Sequence, residues 1–242
     1  MKNLSEHALV SVILPCFNEH KNILPLIKEI HDILTLWNWE HEIVVVDDNS
    51  PDGTYDIVKA EALPFVKAVL RKDMPSLGGS IRTGIENAKG EILVFMDSDF
   101  NHAPEYLPIL LANLNFYDCA SATRFVYGGS SHNKFRFFLS WIFNIGVRIT
   151  TRHFITDTLF GYLAIKKEIL TKVDFQKIFY GQGDYCIRLM YYLQLLKISI
   201  LQIPAIHTAR VHGAGNTRFL RTLLLYSRET LKLGFKRKPK YV

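Results

Sequence analysis

Four apolar runs, Leu9 to Leu14, Ile43 to Val46, Val66 to Leu70 and Ile92 to Met96, punctuate the first hundred residues, and the spacers between them carry a helical period. In the first spacer Ile23, Ile27, Ile30, Leu34 and Trp37 fall on one helical face. Strand, helix, strand, repeated, demands an α/β fold with a mainly parallel sheet flanked by helices on both sides. In such sheets ligands bind beyond the carboxyl ends of the strands. Polar clusters stand at those ends: Pro15-Cys16-Phe17-Asn18-Glu19 after the first run, Asp47-Asp48-Asn49-Ser50-Pro51-Asp52-Gly53 after the second, Asp97-Ser98-Asp99 after the fourth.

Beyond Asp118 the pattern loosens. A helix is expected from Lys134 to Thr150, a short apolar element at Tyr162 to Ile165, a helix at Asp184 to Leu196 and a strand at Ile198 to Ile203. The run RVHGAGN, Arg210 to Asn216, reads as a loop because glycine and asparagine punctuate it. A last helix, Arg218 to Leu233, leads into FKRKPKYV. No repeat or linker divides the chain, so residues 1–215 are expected to form one domain, with 216–242 as a C-terminal helix and basic tail packed on or beside it.

Charge is distributed unevenly. Residues 1–118 hold 9 Lys and Arg against 18 Asp and Glu, whereas 119–242 hold 20 against 5. Two stretches, Cys119 to Thr156 and Tyr185 to Arg228, contain no acid at all. The second half therefore suits phosphates or an anionic membrane; the net +6 is too small to argue for nucleic acid. Three dispersed cysteines, Cys16, Cys119 and Cys186, form no disulfide framework and fit a reducing compartment. The polar N-terminus does not read as a secretory signal, and no apolar run is long enough to span a bilayer.

Asp97 and Asp99, two residues apart at a strand exit, can share one hard cation and leave places for water and phosphate oxygens, as Mg²⁺ or Mn²⁺ prefers. Asn101 and His102 stand near enough to complete the shell or touch a ligand. Acidic residues are also common in turns, and DDNSPDGT, residues 47 to 54, would equally form an Asx-type turn. Read functionally, its acceptors suit ribose hydroxyls, base amino groups and metal-bound water. LGGSIRTG, residues 77 to 84, supplies glycines for close approach and a helix start near Ser80 whose N–H groups could face phosphate; a plain helix start on a packed glycine pair is the other reading.

PCFNE (15 to 19), VVVDDNSPDGT (44 to 54), LGGSIRTG (77 to 84), DSDFNHAPEYLP (97 to 108), TRFVYGG (123 to 129) and DTLFGY (157 to 162) occur in the order of the family 2 GT-A glycosyltransferases. Within them the chain most resembles the dolichol-phosphate mannose synthase group, the polyprenyl-phosphate glycosyltransferases, over about residues 9 to 215. The resemblance implies a GT-A, Rossmann-like mixed sheet and an inverting, metal-dependent hexosyltransferase using Mg²⁺ or Mn²⁺. It also implies site roles. Pro15, Cys16, Phe17, Glu19, Val46, Asp48, Gly79 and Ser98 would bind the nucleotide, and Asp97, Asp99 and Asn101 would surround the cation. Arg124, Arg136 and Arg210 would hold donor and acceptor phosphates, with Asp157 beneath the sugar and acceptor; Asp97, Asp99, Arg124 and Arg210 form the catalytic set.

The donor implied is a nucleotide sugar, GDP-mannose or UDP-hexose, and the acceptor a polyprenyl, dolichyl-type phosphate. The chain departs from the pattern at Phe160, where relatives commonly have Ser, at GQGDYCIRL (181 to 189), and at Asn216-Thr217-Arg218. A phosphate monoester acceptor is already ionised and needs no general base. A saccharide hydroxyl, the rival acceptor, as in cell-surface polysaccharide synthesis, would need one, and Asp184 is its candidate. An N-terminal helix acid favoured by the dipole is the plain reading of Asp184. Phe135, Phe137, Phe138, Trp141 and Ile142, with basic residues at the helix ends, suit an interfacial helix, aided by Lys232, Lys236, Arg237, Lys238 and Lys240 in the tail. The expected location is peripheral, on the cytoplasmic face of a membrane, with room for a small integral membrane partner.

Overall fold

The structure, a computed structural model, describes residues 8–212 and 219–236. Seven strands make one sheet: β1 (Val10–Cys16), β2 (His41–Asp47), β3 (Val66–Leu70), β4 (Ile92–Phe95), β5 (Cys119–Thr123), β7 (Leu163–Lys166) and β8 (Ile200–Pro204). A two-residue pair, β6 (Ser130–Ser131) with β9 (Ile206–His207), stands apart from it. The order is β3-β2-β1-β4-β7-β5-β8, and β7 alone runs antiparallel to its neighbours. The sheet is thus mixed and mainly parallel, as expected for a GT-A fold.

The parallel register explains the site. Cys16 pairs with Asp47, and Ile13 with Phe95. The polar segments following β1, β2 and β4 therefore emerge on one rim, where no further strand pairing consumes their groups.

Helices cover both faces, because β1 and its neighbours are buried on both and their side chains alternate. Val10, Val12 and Leu14 pack with Ile23, Ile27, Ile30 and Leu34 of α1 (Ile23–Leu36) and with Leu107, Leu110 and Leu111 of α4 (Leu107–Ala112). Ile13, Val44 and Val46 turn the other way, onto Ile81 and Ile85 of α3 (Leu77–Asn87) and Leu189 and Met190 of α8 (Asp184–Leu195). Truncating one of these, such as Ile27, to Ala would cost about 3 kcal/mol. α2 (Thr54–Glu61) joins β2 to β3. α5 (Lys134–Thr151) packs against α9 (Phe219–Phe235), and Val147, Ile187, Tyr191 and Leu233 make a third, smaller core. Two short helices, α6 (Lys167–Leu170) and α7 (Phe175–Ile178), lead from β7 to α8.

One expectation fails here, and one strand was not anticipated. Trp37 does not extend the buried face of α1; it lies one residue past the helix, 61% exposed, because Asn38 turns left-handed (φ 55°) and redirects the chain toward β2. β5, Cys-Ala-Ser-Ala-Thr, has no strand signature in its sequence, yet all five residues are buried between β7 and β8. Its small side chains are what let the neighbouring layers close over it.

Candidate active site

At the rim of β1 and β2 the acids are largely satisfied by the chain itself. Asp47 accepts from the Ser50 amide (2.8 Å) and hydroxyl (2.6 Å), and burial raises its pKa against those bonds. Asp52 accepts from the His20 amide at 3.1 Å and from Thr54. Asp48 is buried and receives the Arg71 guanidinium, the Ser80 hydroxyl (2.7 Å) and the Ser76 amide (2.7 Å). The Asx-type turn is therefore realised. Arg71, which sequence reading missed, could have been found by its place directly after β3, on the same rim.

The nucleotide set is only partly presented at the cleft. Phe17 is 38% exposed, and Ser98 Oγ donates to the Pro15 carbonyl at 2.7 Å, tying the β1 and β4 exits together. Glu19 is buried, with Asn22 Nδ2 donating to Oε2 at 2.6 Å. The side chains of Cys16 and Val46 point into the two cores, and burial raises the Cys16 thiol's pKa. Helix α3 does not start near Ser80 with free amides. It starts at Leu77 and is capped by Ser76, whose Oγ accepts from Gly79 N–H at 3.1 Å. Gly78 N–H goes to Gly181 O at 3.0 Å and Ser80 N–H to Ser76 O at 2.8 Å. A Cβ on Gly78 would lie 2.5 Å from Tyr180 O, and one on Gly79 2.8 Å from Arg71 Nη2. These glycines serve close packing.

After β4 the chain turns sharply at Phe100 (φ 65°), which brings Asn101 back onto Asp99. Asn101 N–H donates to Asp99 Oδ1 (3.0 Å) and Asn101 Nδ2 to Oδ2 (2.6 Å), so its amide is spent on the acid. Crowding by neighbouring atoms pushes the Asp97 pKa up to about 6, with Arg210 opposing, although 42% of its side-chain surface still faces the cleft. Burial, then the charge of Asp97, raises Asp99. His102 neither completes a shell nor touches the cleft. It is buried beneath the loop, where its Nδ1 accepts the Asp97 N–H at 2.9 Å. Its ring stacks on Tyr162 (4.9 Å, 8°) and meets the edge of Phe160 (4.6 Å), and burial lowers its pKa to about 4.

Among the described residues no three His, Cys, Asp or Glu side chains converge to hold a metal. The chain would thus supply two carboxylates, and ligand oxygens and water the remainder, which fits a hard Mg²⁺ or Mn²⁺. A positive group already stands there: Arg210 Nη2 lies 2.7 Å from Asp99 Oδ2, and its Nη1 2.8 Å from Glu19 Oε1.

On the far side, Arg124 is held by Asp157, its Nε to Oδ2 at 2.7 Å and its Nη2 to Oδ1 at 2.9 Å. The carboxylate is fully buried and also accepts the Arg124 amide at 3.2 Å. The guanidinium lies over Phe125 and Phe160, 5.1 and 5.2 Å from their centroids. From it a groove of about 290 Å³ runs between Phe125, Val126, Gly129 and the first turns of α5, at Phe137, Phe138 and Trp141. The three arginines are not gathered in one place: Arg210 lies on Glu19 and Asp99, Arg124 on Asp157, and Arg136 on no described acid. Arg136 is exposed on the first turn of α5, its amide donating to the helix cap Asn133 Oδ1 at 2.9 Å.

Asp184 opens α8, as the dipole favours. Its Oδ1 accepts from Gln182 N–H at 2.8 Å and its Oδ2 pairs with Arg188, which is 1% exposed. Arg188 also donates to Ile178 O and Tyr180 O and stacks on the Tyr180 ring. Both carboxylate oxygens are committed to this buried knot. The expected loop at Gly213 to Asn216, the variant triplet 216–218 and the tail residues Arg237, Lys238 and Lys240 lie outside the described residues.

Comparison with known proteins places the sequence in a family. The profile of glycosyl transferase family 2 matches residues 11–187. The chain is 34% identical over 178 residues to a dolichol-phosphate mannosyltransferase of Pyrococcus furiosus, covering 70% of this chain and 49% of that one, so it spans about half that relative's length. It is 30% identical to an undecaprenyl-phosphate mannosyltransferase of Micrococcus luteus, covering 84% of this chain and 85% of the relative. It is also 30% identical to a polyprenol monophosphomannose synthase of Mycolicibacterium smegmatis, over 84% and 79%. Among solved structures, glucosyl-3-phosphoglycerate synthase from Mycobacterium tuberculosis, in complex with Mn²⁺, UDP and phosphoglyceric acid, superposes with a TM-score of 0.70. That match covers 95% of this chain and 80% of that one at 22% identity, a likeness of fold. With the family profile spanning most of the sheet and its rim, the chain belongs to glycosyl transferase family 2.

Proposed function

We propose that this family 2 glycosyltransferase moves a hexose, mannose or glucose in type, from a nucleotide sugar to a polyprenyl phosphate at a membrane surface. The observation that carries the reading is the Arg124 groove, a guanidinium at the head of an aromatic channel. That shape suits a ligand with an anionic head and an apolar tail. The names of the three relatives, a dolichol-phosphate mannosyltransferase, an undecaprenyl-phosphate mannosyltransferase and a polyprenol monophosphomannose synthase, support the same reading.

Asp97 and Asp99 would hold a divalent cation, with Asn101 bracing Asp99 rather than reaching the ion; when bound, the cation neutralises the diphosphate leaving group. Phe17 and the segment from Pro15 to Glu19 would seat the nucleotide at the ends of β1 and β2. Arg124, prevented from rotating by Asp157, would place the acceptor phosphate in line with the anomeric carbon, and Arg210 would add positive charge toward the donor's phosphates. The acceptor oxygen is already ionised, so no side chain need remove a proton. Asp184, with both oxygens committed, gives no support to a hydroxyl acceptor.

No helix among the described residues is long and apolar enough to cross a membrane. The outward face of α5 instead leaves Phe135, Phe138, Trp141, Ile142 and Ile149 exposed, which suits an amphipathic helix lying in the interface. The test is to incubate the protein with Mn²⁺ or Mg²⁺, a short polyprenyl phosphate and a panel of GDP- and UDP-sugars, and to look for glycolipid by mass. A hexosyl polyprenyl phosphate is expected from one donor; transfer only to free saccharides would refute the proposal.

A further inference from the structure

Residues 208–212 form a strap across the acidic rim, pinned on both sides. Thr208 donates through its amide to Asn101 O at 3.3 Å and through its hydroxyl to Phe100 O, on the loop that carries Asp99. At the other end Asn22 Nδ2 donates to His212 O at 3.2 Å, while also holding Glu19. Between these anchors Arg210 places one nitrogen on Glu19 and the other on Asp99 Oδ2, which already accepts from Asn101. The oxygen that a cation would need is thus covered by the chain's own positive charge.

We infer that Arg210 gates the cation site and selects the ligand class: a divalent ion gains Asp99 only when a diphosphate draws the guanidinium away. A guanidinium does not lose its proton, so it can leave two carboxylates only for another anion. A diphosphate offers oxygens to the arginine fork and to the ion together. A monophosphate, with a single phosphorus centre, cannot easily serve both, and a free ion meets an unrelieved like charge. Cation and nucleoside diphosphate therefore bind as a coupled pair. This inference rests on the cation role given to Asp97 and Asp99 in the proposed function, and extends it to the order of binding.

Binding of Mn²⁺ alone, read on the full chain from the paramagnetic resonance of the free ion, needs neither acceptor nor turnover. In the natural protein UDP or GDP should tighten Mn²⁺ at least about tenfold and UMP or GMP less than about threefold. Arg210→Ala should bind Mn²⁺ alone at least about tenfold tighter than the natural protein, with a smaller response to diphosphate. Thr208→Val, which frees one anchor and removes no charge, should move in the same direction by about threefold, and it decides the matter if Arg210→Ala does not fold. Equal Mn²⁺ affinity in the natural chain and the folded variant overturns the gate alone. No Mn²⁺ binding by any form, with diphosphate present, overturns the gate and the cation role together.

Discussion

Asp184→Asn separates the two acceptor chemistries, provided its structural cost is measured alongside. The carboxylate faces Arg188, 1% exposed, so the substitution leaves a buried guanidinium without its nearest counter-charge. Glu229 Oε1, 3.7 Å from Arg188 Nη1, compensates in part, which sets the expected loss at the lower end of the range for such pairs, about 3 kcal/mol. For a chain of this size that lowers the unfolding midpoint by roughly 6–12 °C. Arg188→Met breaks the same pair from the other side and should cost a similar amount. The assay is transfer to a short polyprenyl phosphate at a temperature well below both midpoints, normalised to folded protein. If Asp184 is structural, both variants stay within about tenfold of the natural rate. A loss of roughly 10²-fold in Asp184→Asn with Arg188→Met near normal would make Asp184 a base and refute the phosphate-acceptor argument.

Two further outcomes follow from exposed and buried groups. Phe135, Ile142 and Ile149 lie seven residues apart on α5, 71%, 48% and 74% exposed. Replacing all three by Ser should weaken co-sedimentation with anionic vesicles about 10²-fold or more while leaving the unfolding midpoint nearly unchanged; unaltered sedimentation removes α5 from the membrane face. His153 is buried, neither ring nitrogen has a hydrogen-bond partner, and burial, helped by Arg148, lowers its pKa to about 4. An unfolded histidine binds its proton near pH 6.5, so stability is intact above that pH and falls as pH drops toward 4, by about 2 kcal/mol between pH 7 and 5. His153→Leu should shrink the measured loss over that interval by this amount in urea titrations, and an identical loss in both proteins would rule His153 out as its source.

What could be read along the chain was whatever depends on neighbours in sequence. The apolar runs of β1, β2, β3 and β4, the period of α1 and the expected span of α5 lie within a residue or two of the observed elements. β5 could not be read, because Cys119 to Thr123 is a strand through its partners β7 and β8 rather than through propensity. The same divide runs through the site. Asp97 and Asp99 stand out because acids directly following an apolar strand must surface at its end. That His102 lies behind the loop and Asn101 is consumed by Asp99 depends on the turn at Phe100, which a phenylalanine does not announce. Arg71, Arg188 and the Arg124 and Asp157 pairing are contacts across 23, 4 and 33 positions. Of these only the Arg188 contact is close in sequence, and it was hidden by taking Asp184 alone.

The charge asymmetry of the sequence acquires a meaning at this rim. Most described ion pairs are made within one half: Arg71 with Asp48 in the acidic half, Arg124 with Asp157 and Arg188 with Asp184 in the basic one. Among the described residues the halves are joined by ion pairs only through Lys166 with Asp118 and through Arg210 with Glu19 and Asp99. The second junction crosses the mouth of the cleft. Two anionic substrates side by side would repel each other unless positive charge lay between them. A chain that carries its excess of acid in one half and its excess of base in the other, bridged at the cleft by one displaceable arginine, can admit a cation on the acidic side and an anionic acceptor on the basic one. Raising the salt concentration should therefore raise the measured Kd for the anionic acceptor, while the Asp48 and Arg71 pair and the Arg124 and Asp157 pair, with 10% and 11% of the arginine side chains exposed, hold equally.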